Sequence, residues 1–166
     1  SEEKEPYLLK QAVELLNNKG HKDIKGLFIG SGRDELLNKI KISQNCHILP
    51  FMPYYKLVDY YNLSSLGVWP AQESTSQIDI LACGKPIIIT NKSGTPDRAI
   101  DSGYLYNHGS SRDLADKILK VKDSKNYKNF CFNAEKKARE LYNWEVIAKE
   151  YISDYKIFFK KINNFK

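Results

Sequence analysis

The stretch Trp69–Thr90, WPAQESTSQIDILACGKPIIIT, is the one from which the architecture of this 166-residue chain can be read. It opens at the end of a strand, Leu66-Gly67-Val68-Trp69, which Pro70 closes because proline has no amide to donate to a ladder. A polar loop, Ala71–Ser76, follows, and then an apolar segment, Ile78–Cys83, that carries one acid, Asp79. That segment predicts a short helix. Gly84 ends it, because glycine takes the left-handed C-terminal cap without a Cβ penalty. Pro86–Thr90 is apolar and β-branched, the pattern of a strand buried on both faces. Strand, loop, helix and strand in that order belong to a parallel sheet. The loop then sits at the carboxyl end of its strand, where open α/β sheets bind ligands.

Elementary chemistry reads the loop as an anion site. Ser74, Thr75 and Ser76 stand at a helix start, where free amides and the helix dipole favour a phosphate and the hydroxyls can donate as well. Glu73 and Asp79 suit a polyol, since a carboxylate accepts from vicinal hydroxyls. The same residues also serve an ordinary N-cap by Ser74 or Thr75 with a solvated Glu73, and both readings stand at this point.

Glu73 followed by Asp79-Ile80-Leu81-Ala82-Cys83-Gly84-Lys85-Pro86-Ile87-Ile88 resembles the nucleotide-sugar signature of the retaining GT-B glycosyltransferases, of the glycosyl transferases group 1 (family 4) type. That signature is an acid, seven residues, a glutamate, then Ala-x-Ala-x-Gly-x-Pro and a hydrophobic residue. The chain departs from it twice: Asp79 replaces the second glutamate, and the two acids are six positions apart rather than eight. The Cys-Gly-Lys-Pro anchor places Asp79, whereas Glu73 aligns through a shortened loop. By resemblance, Asp79 holds the donor's ribose hydroxyls and Glu73 the transferred sugar or its phosphate. Ser74, Thr75 and Ser76 then stabilise the departing diphosphate.

Upstream, Pro6 suits a first helical turn, and Leu8, Leu9, Ala12, Val13, Leu15 and Leu16 mark one face of a helix that Gly20 ends. The family carries a Lys-Gly pair eight residues before an alanine on this helix. Lys4 stands eight before Ala12, with Glu5 in place of the glycine. The resemblance makes Lys4 a catalytic cation at the diphosphate; by its own pattern it is an exposed terminal lysine. Gly26–Ile29 and Cys46–Leu49 read as strands, with a helix from Arg33 to about Ser43 between them. Gly30-Ser31-Gly32 makes the tight turn out of the first strand and is too short for a dinucleotide fingerprint. After the second strand, Phe51-Met52-Pro53 stands where the family has Phe-x-Gly beside the nucleotide base, so the resemblance puts Met52 and Pro53 at the donor. Tyr54–Leu63 is the next helix, with Leu57, Val58 and Tyr61 inward. His47 reads as a packed strand residue, and neither His21 nor His108 has an acid or serine at a triad spacing.

Downstream, Asn91–Arg98 is a turn-rich loop without a sharp site, and Tyr104-Leu105-Tyr106 a last short strand. Helices follow at about 111–121, 125–141 and 144–160. Trp144, Ile147, Tyr151, Tyr155, Phe158 and Ile162 recur at three- and four-residue steps along the final one. In a GT-B enzyme this helix crosses back to the amino-terminal domain. A basic helix lying on anionic lipid is the alternative, with Lys149, Lys156, Lys160 and Lys161 beside the stripe.

Composition narrows the function classes. With 42% apolar residues and a mean hydropathy of −0.53 the chain reads as a globular domain, and no apolar run approaches the roughly 18 residues of a membrane span. Cys46, Cys83 and Cys131 have neither metal spacing nor a disulfide pattern, which fits a reducing cytoplasm. The net charge of +6 is concentrated in the last third, on helix faces or toward an anionic partner. No nucleic-acid module motif is present.

The expected fold is therefore α/β, a Rossmann-like three-layer parallel sheet with helices on both faces, over residues 1–166. The resemblance makes it the donor-binding, carboxyl-terminal half of a GT-B enzyme. It implies a nucleotide-diphosphate sugar as donor, no cofactor, no metal and no nucleic acid. The partners it implies are the chain's own amino-terminal domain and, for a cytoplasmic protein acting on polysaccharide or glycolipid, an anionic inner membrane face. A sugar-nucleotide epimerase or a non-catalytic anion-binding module are the rival classes. In the family the strand before the Lys-Gly pair is central, so an upstream strand is expected between Gly26–Ile29 and Leu66–Trp69, which should not pair with each other.

Overall fold

The computed structural model describes residues 2–163. A 3-10 turn at Glu2–Lys4 leads into α1 (Pro6–Asn18), β1 (Gly26–Ile29), α2 (Asp34–Lys41), β2 (Cys46–Leu49), α3 (Tyr54–Leu63) and β3 (Gly67–Trp69). Then come α4 (Ser76–Ala82), β4 (Ile87–Thr90), a second 3-10 turn (Pro96–Arg98), β5 (Gly103–Tyr106), α5 (Ser111–Lys122), α6 (Tyr127–Leu141) and α7 (Trp144–Asn163). All strand pairs are parallel, as alternating strands and helices require.

The strands form two sheets rather than one: β1–β2, with Gly26 opposite Cys46, and β3–β4–β5, with Gly67 opposite Ile87 and Ile87 opposite Gly103. β1 and β3 do not pair with each other. What joins the sheets is α1, whose apolar stripe has two sides. Leu8, Ala12 and Leu16 pack against Ile88, Tyr106 and the α5 residues Leu114 and Ile118, while Val13 packs with Leu36, Ile40 and Cys46.

Alternation along β4 sets the layers. Ile88 turns to α1 and α5, whereas Ile87 and Ile89 turn to α4 and α6, where they meet Ile80, Leu81 and Ala134. The three isoleucines are fully buried, each a contribution of roughly 1.5–3 kcal/mol. Helices thus cover both faces of the larger sheet. Gly84 caps α4 at φ 64°, in the left-handed region the sequence required of it. Ser110 caps α5, its Oγ accepting from the Asp113 amide at 3.1 Å.

Two expectations are corrected. Val58 is 44% exposed and α3 has no buried residue, because α3 packs mainly on α4 and touches the core through Tyr61. His47 is exposed, as is Leu27 opposite it on β1, since no element among the described residues covers that face of the smaller sheet. Along α7, Trp144, Tyr151, Tyr155, Phe158 and Ile162 are all exposed, so the aromatic stripe is covered by nothing among the described residues. No helix of the described residues is long and apolar enough to cross a membrane.

Candidate functional site

Because all five strands run parallel within their sheets, the loops after β3, β4 and β5 leave the larger sheet from one edge, and the loop after β2 meets them through α3. The predicted residues lie on this edge. Asp79 is in α4, half-buried, and its Oδ1 accepts from the Tyr54 hydroxyl at 2.9 Å. That contact brings the Pro50–Pro53 loop to Asp79, with Pro53 as the N-cap of α3, Met52 half-buried and Phe51 exposed. Two phenols of α3 flank the acid. The hydrogen bond to Asp79 holds the Tyr54 hydroxyl above the usual tyrosine range. Burial, with the Asp79 charge behind it, pushes Tyr61 up to about 12.

Glu73 points away from Asp79 toward the next loop. Its Oε1 accepts from the Gly94 amide and from Ser93 Oγ at 3.2 Å, so the carboxylate fastens the Asn91–Thr95 turn to the end of β3. A Cβ at position 94 would lie 2.9 Å from Glu73 Oε1, so the lack of a side chain there permits the close approach. Ser74 Oγ and Ser76 Oγ are 2.7 Å apart, and the Ser76 amide donates to Ser74 Oγ at 3.3 Å. The amides of Gln77 and Ile78 donate to the Ser74 and Thr75 carbonyls. This corrects the expectation of free amides for Ser76, Gln77 and Ile78, which the tight turn at the start of α4 uses, and Thr75 caps without its side chain. The polar groups the turn offers outward are the hydroxyls of Ser74, Thr75 and Ser76.

Lys4 is exposed on the first 3-10 turn. Glu5, which replaces the glycine of the pair, has φ 47° and ψ 47°, the left-handed conformation that glycine adopts freely and that costs other residues roughly 1–2 kcal/mol. The Glu5 side chain reaches the larger sheet. Glu5 Oε2 is 3.9 Å from His108 Nε2, and His108 Nδ1 is 3.2 Å from Thr90 Oγ1, at the carboxyl ends of β4 and β5. An acid, a histidine and a hydroxyl are thus adjacent, which the spacing of His108 did not suggest. They do not form a nucleophilic relay: 3.9 Å is too long for a hydrogen bond, and Thr90, almost fully buried, already accepts from the Lys92 amide.

Arg98 was not legible as a site residue. Its Nη1 donates to Gln77 Oε1 at 2.6 Å and to the Ser74 carbonyl at 3.3 Å, and its guanidinium lies over the Tyr142 ring, 5.6 Å from the centroid. It clamps the Ser74–Gln77 turn from the far side. The only sequence signal was the proline-led turn Thr95-Pro96-Asp97-Arg98, which says that the chain reverses and not what it then meets. Among the described residues no three His, Cys, Asp or Glu side chains cluster as a metal site.

The profile of the family described as Glycosyl transferases group 1 matches residues 1–140. The chain belongs to this family. Among curated proteins, this glycosyltransferase-family chain is 35% identical over 78 residues to a probable sucrose-phosphate synthase of Thermosipho melanesiensis, a match covering 46% of the chain and 18% of the synthase. Among solved structures it resembles the catalytic domain of cholesterol-alpha-glucosyltransferase from Helicobacter pylori, with a TM-score of 0.71 and 26% identity over 83% of this chain and 91% of that one. It also resembles Anabaena Alr3699/HepE in complex with UDP, with a TM-score of 0.75 and 15% identity over 94% of this chain and 46% of that one. The chain thus spans less than a fifth of its curated relative and about half of HepE. The fold is the Rossmann-like one of the GT-B glycosyltransferases, as the signature around Asp79 implied.

Proposed function

We propose that this chain is the donor-binding half of a retaining glycosyltransferase. Joined to its amino-terminal domain, it moves a sugar from a nucleotide-diphosphate donor to a polysaccharide or glycolipid acceptor. The observation that carries this reading is the position of Asp79, half-buried at the carboxyl-end edge of a parallel sheet on the unit that ends in Cys83-Gly84-Lys85-Pro86. Asp79 accepts the ribose hydroxyls, and Met52 and Pro53 lie beside the base. Glu73 faces the transferred sugar, and the Ser74, Thr75 and Ser76 hydroxyls with the Lys4 ammonium meet the departing diphosphate. The chemistry is stabilisation of a leaving group by donors held in place before the reaction. The UDP bound by HepE supports a nucleoside diphosphate as the ligand.

Calorimetric titration of the 166-residue chain with UDP-, GDP- and ADP-sugars tests the site. One donor should bind, weakly, with no sugar transferred to any acceptor, because the reaction takes place between two lobes. Absence of binding by the whole panel argues against a donor site, and turnover by these residues alone argues against the shared role.

The sheets suggest how the rest of the polypeptide meets this half. Among the described residues β1 and β3 each pair on one side only, and the Gly26 and Gly67 amides point to that paired side, donating to Asn45 and Pro86. Alternate amides, those of Leu27, Ile29 and Val68, then face the gap between the sheets. A further parallel strand there makes one sheet of the two and removes two open edges. The exposed apolar stripe of α7 is assigned to the amino-terminal domain. Hydrogen exchange reads the first of these contacts. The three amides should be protected in a polypeptide that includes the upstream region and exchange fast in the 166-residue chain; equal exchange in both would remove the inserted strand.

A further inference from the structure

Tyr54 is an exposed residue that makes a long-range hydrogen bond. Its side chain is 71% exposed at the first position of α3, yet its hydroxyl is tied to Asp79 Oδ1, 25 residues along the chain, at 2.9 Å. An exposed phenol loses little by bonding to water instead, so this contact adds little to folding. What it does is orient the carboxylate. We propose that Tyr54 is a positioning residue that turns the Asp79 carboxylate toward a ribose and makes binding depend on the ribose hydroxyls, an inference that rests on Asp79 being the ribose site.

The geometry admits both jobs at once. A carboxylate has about four lone-pair directions, and a vicinal diol needs two of them. Tyr54 occupies one on Oδ1 and leaves Oδ2 and the second Oδ1 position for the sugar. The backbone supports this placement of the ring. Pro53, with φ −59° and ψ 147°, enters α3 in an extended conformation that proline holds in advance, and no side chain caps that helix end. The phenol therefore starts from a stiff loop rather than from a mobile one. Tyr61, about two turns further along α3, also lies near Asp79 and is half-buried against the core cluster that holds Ile80. The carboxylate is held from Tyr54's side alone by a hydrogen bond that a donor can share without breaking.

The experiment measures dissociation constants by calorimetry on the full-length protein. The ligands are UDP, GDP and ADP in turn, each beside an analogue lacking both ribose hydroxyls, and the proteins are the parent, Tyr54→Phe, Asp79→Ala and the double variant. Tyr54→Phe keeps the ring and should fold as the parent does. It should weaken binding of the preferred diphosphate roughly three- to tenfold, the share of one hydrogen bond, and leave the analogue lacking the hydroxyls within about twofold. In the Asp79→Ala background it should have no further effect, because the two act as one unit. Equal losses for both ligands, or losses that add in the double variant, overturn the inference. Weakening by Asp79→Ala with no change in Tyr54→Phe overturns it too and leaves the donor-site reading standing. Unchanged binding in Asp79→Ala overturns both.

Discussion

Replacement of Asp79 by alanine is expected to weaken binding of the nucleotide sugar by roughly 1.5–3 kcal/mol, about 10- to 150-fold, with little change in folding stability. The magnitude is that of hydrogen bonds to a charged group, which a ribose diol loses when the carboxylate is removed. The small effect on stability follows from the surroundings of the side chain. Its partner is the exposed Tyr54, and the apolar residues that hold α4, Ile80 and Leu81, face the core on the opposite side. Asp79→Asn sharpens the measurement, since it keeps the shape and removes the charge. Calorimetric titration beside thermal melting separates the two quantities. Parent-like affinity at a parent-like melting temperature would remove Asp79 from the site.

A larger effect, on folding, is expected at Gly103. This residue begins β5 opposite Ile87 of the central strand β4, and a Cβ built on it would lie 1.8 Å from the Ile87 carbonyl oxygen and within 2.9 Å of the Ile87 nitrogen. Backbone cannot swing aside as the end of a long side chain can. Ile87 is itself pinned, fully buried with its amide bonded to the Ser102 carbonyl at 3.0 Å. Gly103→Ala therefore has to separate β5 from β4, which disturbs the cores on both sheet faces, at a cost of about 3 kcal/mol or more. Gly32→Ala is the matched control. A Cβ there meets only Leu37 at 3.6 Å and Leu36 at 3.8 Å, ordinary contact distances, so its stability should stay within about 0.5 kcal/mol of the parent. Urea unfolding of the three proteins decides the matter, and a shared midpoint for Gly103→Ala and the parent would show that β5 shifts without loss. Donor binding should fall with Gly103→Ala as well, because β5 carries Tyr106, whose hydroxyl donates to the Pro70 carbonyl at the root of the Glu73 loop.

Much of this architecture follows from short-range rules acting on the sequence. Gly26–Ile29, Cys46–Leu49 and Tyr54–Leu63 stand where apolar runs and their flanking residues predict them. Gly84 takes its left-handed φ because a helix ends on it before a buried strand. Asp79 is recognisable from the Cys-Gly-Lys-Pro anchor that follows it. Glu5 takes a left-handed φ at the entry to α1, a position its side chain does not predict.

Pairings between loops were not legible. Glu73 meets Ser93 and Gly94, Arg98 meets Gln77 and Ser74, Tyr54 meets Asp79, and Glu5 meets His108, over separations of 20 to 103 residues. No periodicity or cap encodes such contacts. They arise because parallel pairing brings the ends of β3, β4 and β5 to one edge in a fixed register, and only then do side chains from separate loops come within reach. The exposure of His47 and Val58 has the same origin. Their local patterns suit burial, but burial needs an element opposite, and at β2 and α3 the tertiary arrangement supplies none on that face. Sequence determined which residues form the strands and helices and put Asp79 on α4; the sheet register decided which of them face one another.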